Sequence, residues 1–590
     1  MLPTRLLIIF IFLFFIFDHA EAQVHLRVNQ LGFAPNSPKS AIAFSYGPVP
    51  TDFRIVNPTT NAVVFKGHVK PVPGTWGEFD HHAELDFTSF TTEGSYVIEM
   101  GSARSSKFTI SRTANELSDE LLEFMRQQRC GYNPLVDAAC HTFDGRTAFG
   151  PLPPGTYINA IGGWHDAGDQ LKYLLTASNA TAQMLLAFQL SPRYTDKFNS
   201  LGQPGANGFP DILDEALWGL NWMLRLHPAP DQLYHQVADD RDHAGFRLPQ
   251  NETVDYGWGA GRARVVYFAD GQPQGLRQYQ SESNGVANLA GRYAAAMALG
   301  YQIFKDERRL PFLAQAMLKA GKEVYALGQQ KEGVQQGNSY GAPYRYAETT
   351  WADDMEWGAA ELYRATKDPR YLRDAKRYAM LARDESWMGK DEAGHYQYYP
   401  FMNAGHFRLY DLVDARTKKR LAAFYRDQIK RSIKKSDGNP YRIGVPFIWC
   451  SNNLVVALAT ECLLYERMTG DRRYREFAAK QIDWLLGRNP WGTSMFTGIP
   501  VDGTYPKDVH LFANALLKKM VRGGLVDGPV YRKVFQSLRG VSIKQPDPFA
   551  VFQDERAVYH DDINDYSTNE PTMDGTASAI LLSVLLRFQQ

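Results

Sequence analysis

The sequence predicts a multidomain chain, an all-β sandwich of immunoglobulin type followed by an all-α barrel of paired helices, and three observations predict it. From Val24 to about Ile110, polar and apolar residues alternate in short runs split by turn residues. From Asn115 onward, apolar residues recur at three- and four-residue spacing in segment after segment. At 590 residues, 44% of them hydrophobic, the chain is too long for one ordinary domain and can bury a large core.

The elements follow in order. Residues 1–22 place Arg5 before an apolar run from Leu6 to Phe17 and then Ala20-Glu21-Ala22, the pattern of a secretory signal peptide cut before Gln23. The run is shorter than the ~20 residues a spanning helix needs, so the expectation is a secreted or periplasmic protein with no membrane anchor after signal cleavage, and a monomer. Residues 23–110 are the sandwich, in the runs VHLRVNQ, KSAIAF, FRIVNP, AVVFKG, AELDF, GSYVIEM and SKFTIS, and 111–115 are a linker. Residues 116–590 carry eleven or twelve helical patterns, from NELSDELLEFMRQQR to TASAILLSVLLRF. Long loops rich in Gly, Pro and aromatics join them, which fits a barrel of helix pairs better than a short-looped bundle. A parallel α/β barrel is disfavoured because no β-rich runs alternate with the helices.

Lys+Arg and Asp+Glu both total 64, so no basic field exists to attract nucleic acid or an anionic membrane. P-loop, HExxH and GxSxG motifs are absent. The aromatic content is unusual, 13% with 31 Tyr and 11 Trp; core packing explains most of it, and a cleft in which sugar rings stack would also need some. Trp258, Trp351, Trp449 and Trp491 in or beside loops are candidates for such stacking, with packing as the alternative for each.

The segment GGWHDAGD, Gly162–Asp169, carries two carboxylates three residues apart just before a helix expected to begin at Gln170. Its glycines permit a tight turn that aims Asp166 and Asp169 at one cavity. Two readings fit: Asp169 is a helix N-cap, or the pair holds and deprotonates a water. Inverting glycoside hydrolysis needs such a base and a separate acid on the other side of the sugar. In YHDDINDYSTNEPTMDG, Glu570 lies in a loop before the last helix, near Tyr566, where partial desolvation raises a carboxyl toward a general acid's range. A solvated loop acid is the alternative.

With these residues in view the chain resembles glycoside hydrolase family 9, the inverting β-1,4-glucanases of cellulase type with an N-terminal immunoglobulin-like domain. VNQLGF, GGWHDAGD, DILDEALWGLNWML, GRNPWGTSMFTG, GGLVDGP and DYSTNE carry the resemblance across nearly the whole chain after the leader. It implies an (α/α)6 barrel, Asp169 as catalytic base, Asp166 as its partner in positioning water, Glu570 as general acid, no organic cofactor, and a β-glucan as partner. It also implies His510 as a substrate contact; Tyr566, the aromatic neighbour of Glu570, and Trp449, one of the loop tryptophans, are further candidate contacts. One motif departs: the family has an arginine two residues after this histidine, and the chain reads His510-Leu511-Phe512. Subsite details therefore differ, and a substrate such as xyloglucan rather than plain cellulose is compatible.

Cys130, Cys140, His141 and His165 have a spacing suited either to a tetrahedral zinc or, for the two cysteines in an exported protein, to a disulfide. The resemblance favours zinc, since family members with the immunoglobulin-like domain bind it at a similar pattern. Asp353 and Asp354 match a segment where the family binds calcium, although acids in a first helical turn are also explained by the helix dipole. Cys450 and Cys462, in an apolar run, read as buried hydrophobes. Three other functions compete with the internal β-1,4-glucanase: an exo-acting glucosidase or glucosaminidase whose insertion YHQVADDRDHAGFRLPQNETVDYGWG walls off the cleft, a non-catalytic glycan-binding protein, and a polysaccharide lyase.

Overall fold

The computed structural model describes residues 23–113, 116–342 and 344–589. The expected signal peptide and Ala114-Asn115 of the expected linker lie outside the described residues.

Each of the seven alternating runs forms a strand: β1 (His25–Arg27), β2 (Ser40–Ser45), β3 (Asp52–Val56), β4 (Val63–Pro71), β5 (His81–Asp86), β6 (Gly94–Met100) and β8 (Phe108–Ile110). An eighth, β7 (Ala103–Arg104), has two residues, too few for alternation to register. The antiparallel order is β1-β2-β5-β4-β3-β6-β7, with β8 also on β6. β4 pairs with β3 through its first half and with β5 through Val69–Pro71, so one long strand links the two halves of the sandwich. Alternate residues point inward, and Phe33, Ile55, Phe87, Ile98 and Phe108 form the sandwich's own core. The other face of β2 turns Ile42 and Phe44 toward Trp76 and Phe79, which belong to the core of the helical part.

The helical part contains thirteen α-helices among the described residues: α1 (Ser118–Gln127), α2 (Leu174–Leu190), α3 (Asp211–Arg225), α4 (Ala287–Phe304), α5 (Pro311–Gln330), α6 (Ala352–Thr366), α7 (Pro369–Ala382), α8 (Ala404–Tyr410), α9 (Ala415–Ser436), α10 (Ser451–Thr469), α11 (Arg475–Leu485), α12 (Arg532–Ser537) and α13 (Met573–Leu586). α2, α4, α6, α8, α10 and α13 touch one another in that order, and α13 returns to α2, closing a ring. Composition decides which helices stand inside. α2, LLTASNATAQMLLAFQL, is apolar or small on every side and nearly all buried, whereas α9, ARTKKRLAAFYRDQIKRSIKKS, buries a single stripe. α4 and α6 approach backbone to backbone, since a Cβ on Gly291 would lie 2.2 Å from the Asp354 carbonyl carbon and one on Gly358 would lie 2.6 Å from the Gly291 carbonyl oxygen.

The eleven helical runs of the sequence reading correspond to α1–α7, α9–α11 and α13. α8 escaped because seven residues, two turns, show no repeat of a 3.6-residue period. Four short strands were also not expected: Arg146–Ala148, Val265–Phe268, Tyr234–Val237 and Lys172–Tyr173 form one sheet in that order. This corrects the helix start after GGWHDAGD. Lys172 and Tyr173 pair with Val237 and Gln236, so α2 begins at Leu174 rather than Gln170.

Candidate active site

The Gly162–Asp169 loop is held from beneath by a buried ionic plate. Gly162 and Gly163 adopt φ of +106° and +75°, and a Cβ on Gly163 would lie 2.6 Å from the Trp222 ring, so only glycine passes there. Trp164 Nε1 donates to Glu215 Oε1 at 2.6 Å, and Arg129 chelates the same carboxylate. Lys172 Nζ donates to the carbonyls of Ala160 and Gly162 at 2.7 and 2.9 Å and pairs with Asp144 at 2.8 Å. Arg264 grips both oxygens of Asp144 and donates to the Gln170 carbonyl at 2.6 Å. Buried pairs of this quality carry little net stability, but they fix the loop in one conformation.

Asp166 and Asp169 emerge from this support in different environments. Asp166 is buried; Thr176 Oγ1 donates to its Oδ1 at 2.6 Å and the Tyr346 hydroxyl donates to its Oδ2. Burial, then the charges of Asp169 and Asp574, hold its carboxyl well above the usual range. Asp169 is the more open carboxylate: Leu171 N–H donates to Oδ1 at 2.9 Å, and His243 Nε2 lies 3.4 Å from Oδ2. The Leu171 bond closes a turn ahead of the short strand and does not cap α2, whose N-cap is Tyr173.

Glu570 meets this pair, about four hundred residues away in sequence. Gly168 N–H donates to Glu570 Oε1 at 2.9 Å, so the carboxylate docks on the residue that precedes Asp169. A Cβ on Gly168 would fall 2.2 Å from the His510 carbonyl oxygen and 2.6 Å from Glu570 Oε1. Burial, followed by the charges of Asp527 and Asp169, pushes the Glu570 carboxyl well above the ordinary glutamate range.

Rings enclose these acids in a collar, with centroid separations of 5.0 Å for His243–Tyr344, 6.3 Å for Tyr344–Trp449, 5.6 Å for Trp449–Tyr566, 6.1 Å for Tyr566–His510 and 4.6 Å for His510–Phe246. His510, Tyr566 and Trp449, expected from sequence as substrate contacts, are all in it. His510 Nδ1 donates to the Ile563 carbonyl at 2.6 Å, which leaves Nε2 free to accept. Two residues on, where the arginine is missing, Phe512 is a buried ring. Trp491 and Trp351 stand elsewhere: Trp491 packs edge-on against Trp76 and Trp484, and Trp351 against Tyr378, while Trp258 lies over Gly155.

Cys130, Cys140, His141 and His165 converge, all buried, with donor atoms within 4.8 Å of one another; among the described residues no other such group forms. The cysteines are not joined to each other. Cys130 Sγ lies 3.5 Å and His165 Nε2 3.3 Å from His141 Nδ1. Zn–N bonds of about 2.0–2.1 Å and Zn–S bonds of about 2.3 Å set tetrahedral edges of about 3.3 Å and 3.5 Å, so the donors fit that ion. His141 Nε2, on the far side of the ring, lies 3.4 Å from Glu252, a carboxylate placed to orient it.

Asp353 and Asp354 are not a matched pair. Both Asp354 oxygens lie 3.2 Å from Arg292 Nη1, which also binds Glu348 at 2.6 Å. Asp353 Oδ1 and Glu385 Oε2 are buried without a hydrogen-bond partner, and burial lifts Glu385 to about 7.

Sequence reasoning missed His243, Tyr346, Asp527 and Asp574. The first lay inside an insertion read only as a wall, and Asp527 inside a motif, GGLVDGP, quoted for resemblance and not examined for chemistry. Tyr346 offered no local signal, being one tyrosine among 31.

Residues 115–583 match the profile of glycosyl hydrolase family 9, and residues 21–105 that of the cellulase N-terminal ig-like domain. Endoglucanase C of Cellulomonas fimi is 25% identical over 93% of the chain, which spans only half of that protein's length. A xyloglucan-specific endo-β-1,4-glucanase, BoGH9A, of Bacteroides ovatus is 24% identical, with 85% of each protein covered. Among solved structures, a metagenome-derived glycoside hydrolase family 9 endoglucanase superposes with a TM-score of 0.74 at 25% identity, covering 96% of this chain and 99% of that one. A Zn-binding triple mutant of family 9 endoglucanase J30 does so with a TM-score of 0.73 at 26% identity, covering 94% and 99%.

Proposed function

The chain belongs to glycosyl hydrolase family 9, and from that premise we propose that it cuts β-1,4-glucosidic bonds internally and with inversion, on an (α/α)6 barrel formed by the closed ring of helix pairs. The observation that carries this reading is the hydrogen bond from Gly168 N–H to Glu570 Oε1, which brings the acid of a distant loop beside the segment that carries Asp169, within an aromatic collar.

The collar rings stack on sugar faces and position the chain. Glu570, kept protonated by its surroundings, donates its proton to the glycosidic oxygen as the bond to C1 breaks. A water on the opposite face attacks C1, and Asp169 takes its proton; Asp166, fixed by Thr176 and Tyr346, bonds the same water. The free sugar then leaves with inverted configuration; Asp169 releases its proton to solvent and Glu570 takes one back, which resets the site. No organic cofactor enters these steps.

Cys130, Cys140, His141 and His165 would hold a zinc ion, which would brace the loop because His165 directly precedes Asp166. The Zn-binding J30 variant among the structural relatives supports this reading. Calcium, if bound here, would draw on Asp353 and Glu385, whose Oδ1 and Oε2 are buried without partners, since Asp354 is engaged by Arg292. Phe512 in place of the arginine, together with the relationship to BoGH9A, favours a branched glucan such as xyloglucan as substrate. The protein is exported through its leader and acts as a monomer; no helix among the described residues is long and apolar enough to cross a membrane.

Viscosity and reducing ends, followed together on carboxymethylcellulose, xyloglucan and a mixed-linkage glucan, test this function. Viscosity is expected to collapse before many ends appear, and Glu570→Gln to lower turnover by about 10²–10⁴. Ends released in proportion to viscosity loss would establish the exo mode, and unchanged turnover in Glu570→Gln would remove the acid assignment.

A further inference from the structure

We propose that Asp527 is a positioning residue of the hydrolytic site, fastening the Trp449 platform to the segment that carries Glu570 and keeping the acid's proton on Glu570. The inference rests on the reading of Glu570 as the general acid.

The placement comes from strand register. Leu525–Val526 pairs antiparallel with Pro571–Thr572, Val526 opposite Pro571, so the next pair is Asp527 opposite Glu570. Asp527 N–H donates to the Glu570 carbonyl at 2.9 Å, consistent with that register. Residues directly opposite on such a ladder bring their Cβ atoms to about 4.5–5.5 Å, and two like charges there repel. One proton shared by the two carboxyls relieves that repulsion.

Hydrogen bonding decides which carboxyl holds it. Trp449 Nε1 donates to Asp527 Oδ2 at 2.8 Å and the Cys450 thiol to Oδ1 at 3.2 Å, two donors that favour the ionised form of Asp527. Among the described residues the Glu570 carboxyl receives only the Gly168 N–H. Other titratable groups facing the pair are Asp166 and Asp169 from the glycine loop, Tyr344 from the segment before α6, His510 from the segment after α11, Asp565 and Tyr566 from the loop before Glu570, and Asp574 from α13. Burial raises both carboxyls, and Asp527 is the foremost charge acting on Glu570.

The same side chain holds the sugar platform. Trp449 and Cys450 immediately precede α10, and Cys450 is forced into the left-handed region at φ +62°. Asp527 pins this junction three times, through the Trp449 indole, the Cys450 thiol and its own carbonyl, which accepts from Asn452 N–H at 2.9 Å. Nothing in the two-residue ladder itself requires an acid, so a buried carboxylate in this position is accounted for by what it grips.

The test measures kcat/KM against pH for wild type, Asp527→Asn, Asp527→Ala and Glu570→Gln, on a β-1,4-gluco-oligosaccharide and on 2,4-dinitrophenyl β-cellobioside, whose leaving group needs little acid assistance. Removing the Asp527 charge lowers the affinity of Glu570 for its proton, so in Asp527→Asn the alkaline limb is expected to move down by about one pH unit. Its loss on the oligosaccharide should exceed its loss on the aryl substrate at least tenfold. Asp527→Ala, which also frees Trp449, should add a severalfold rise in KM. An alkaline limb coincident with wild type, or equal losses on both substrates, overturns the proposal. If Asp527→Ala fails to fold, Asp527→Asn, with the same shape, decides alone. Full activity in Glu570→Gln would instead overturn the underlying acid assignment, so the two failures are distinguishable.

Discussion

At the scale of single residues, Gly168 is the most constrained position in the site. It lacks a side chain because the His510 carbonyl and Glu570 Oε1 occupy the space a Cβ would need, at 2.2 and 2.6 Å. Gly168→Ala must displace one of them, and misplacing a reacting group by about 1 Å costs on the order of 10² in rate. A fall of at least about 100-fold in kcat, with Tm nearly unchanged, is expected from steady-state kinetics and a thermal melt; kcat close to wild type would show that the carboxylate is not held by this peptide. The residues legible in the sequence were those with a local signature. Asp166 and Asp169 are three apart among glycines, and Glu570 follows DYSTN. Their partners were not legible, because Tyr346 and His243 reach Asp166 and Asp169 from 180 and 74 positions away and have no spacing relation to them. Composition likewise counted Cys450 as a buried hydrophobe, which it is, without disclosing that its thiol donates to Asp527.

At the scale of elements, the active loop is a length of irregular backbone whose position depends on what clamps it. The sequence reading expected a helix from Gln170; instead two residues of strand intervene, because Lys172 is drawn under the loop to Asp144 and pairs through its backbone with Val237. With zinc bound, Cys130, Cys140, His141 and His165 would add a second clamp next to Asp166. A ligand present at 1,000 times its Kd stabilises the folded state by about 4 kcal/mol. Cys130→Ser, or wild type stripped with a strong chelator, should therefore melt several degrees lower, and zinc should restore the chelated wild type but not the variant. Melting curves unaffected by either treatment would leave the tetrad as buried packing. The short inner helix α8 shows the limit of periodicity as a guide: it completes the ring of six, yet seven residues carry no repeat to detect.

At the scale of the whole molecule, the sandwich is bonded into the helical part rather than tethered to it. Asn29 Nδ2 donates to Asp483 Oδ1 on α11 at 2.9 Å, Gln30 N–H donates to the Leu486 carbonyl at 2.8 Å, and Trp76 lies edge-on to Trp484 and Trp491. Asp483 is buried at this seam, and burial lifts its carboxyl to about 7. Its folded value is above its unfolded one, so its contribution to stability is present at low pH and is lost as pH rises from about 4 through about 7. Asp483→Asn keeps the oxygen that accepts from Asn29 and removes the charge. Its advantage over wild type should widen by on the order of 2 kcal/mol between pH 5 and pH 8, read as Tm at the two pH values; an advantage equal at both would mean that the seam tolerates the carboxylate.

The central claim is that Asp169 and Glu570 act from opposite faces of one sugar with a water between the base and C1. Proton NMR of the anomeric region during the first minutes of cello- or xylogluco-oligosaccharide cleavage tests it most directly. The α-anomer of the new reducing end is expected to appear first and then to mutarotate. First appearance of the β-anomer would indicate retention through a covalent intermediate and contradict the assignment of base, acid and water made from this geometry.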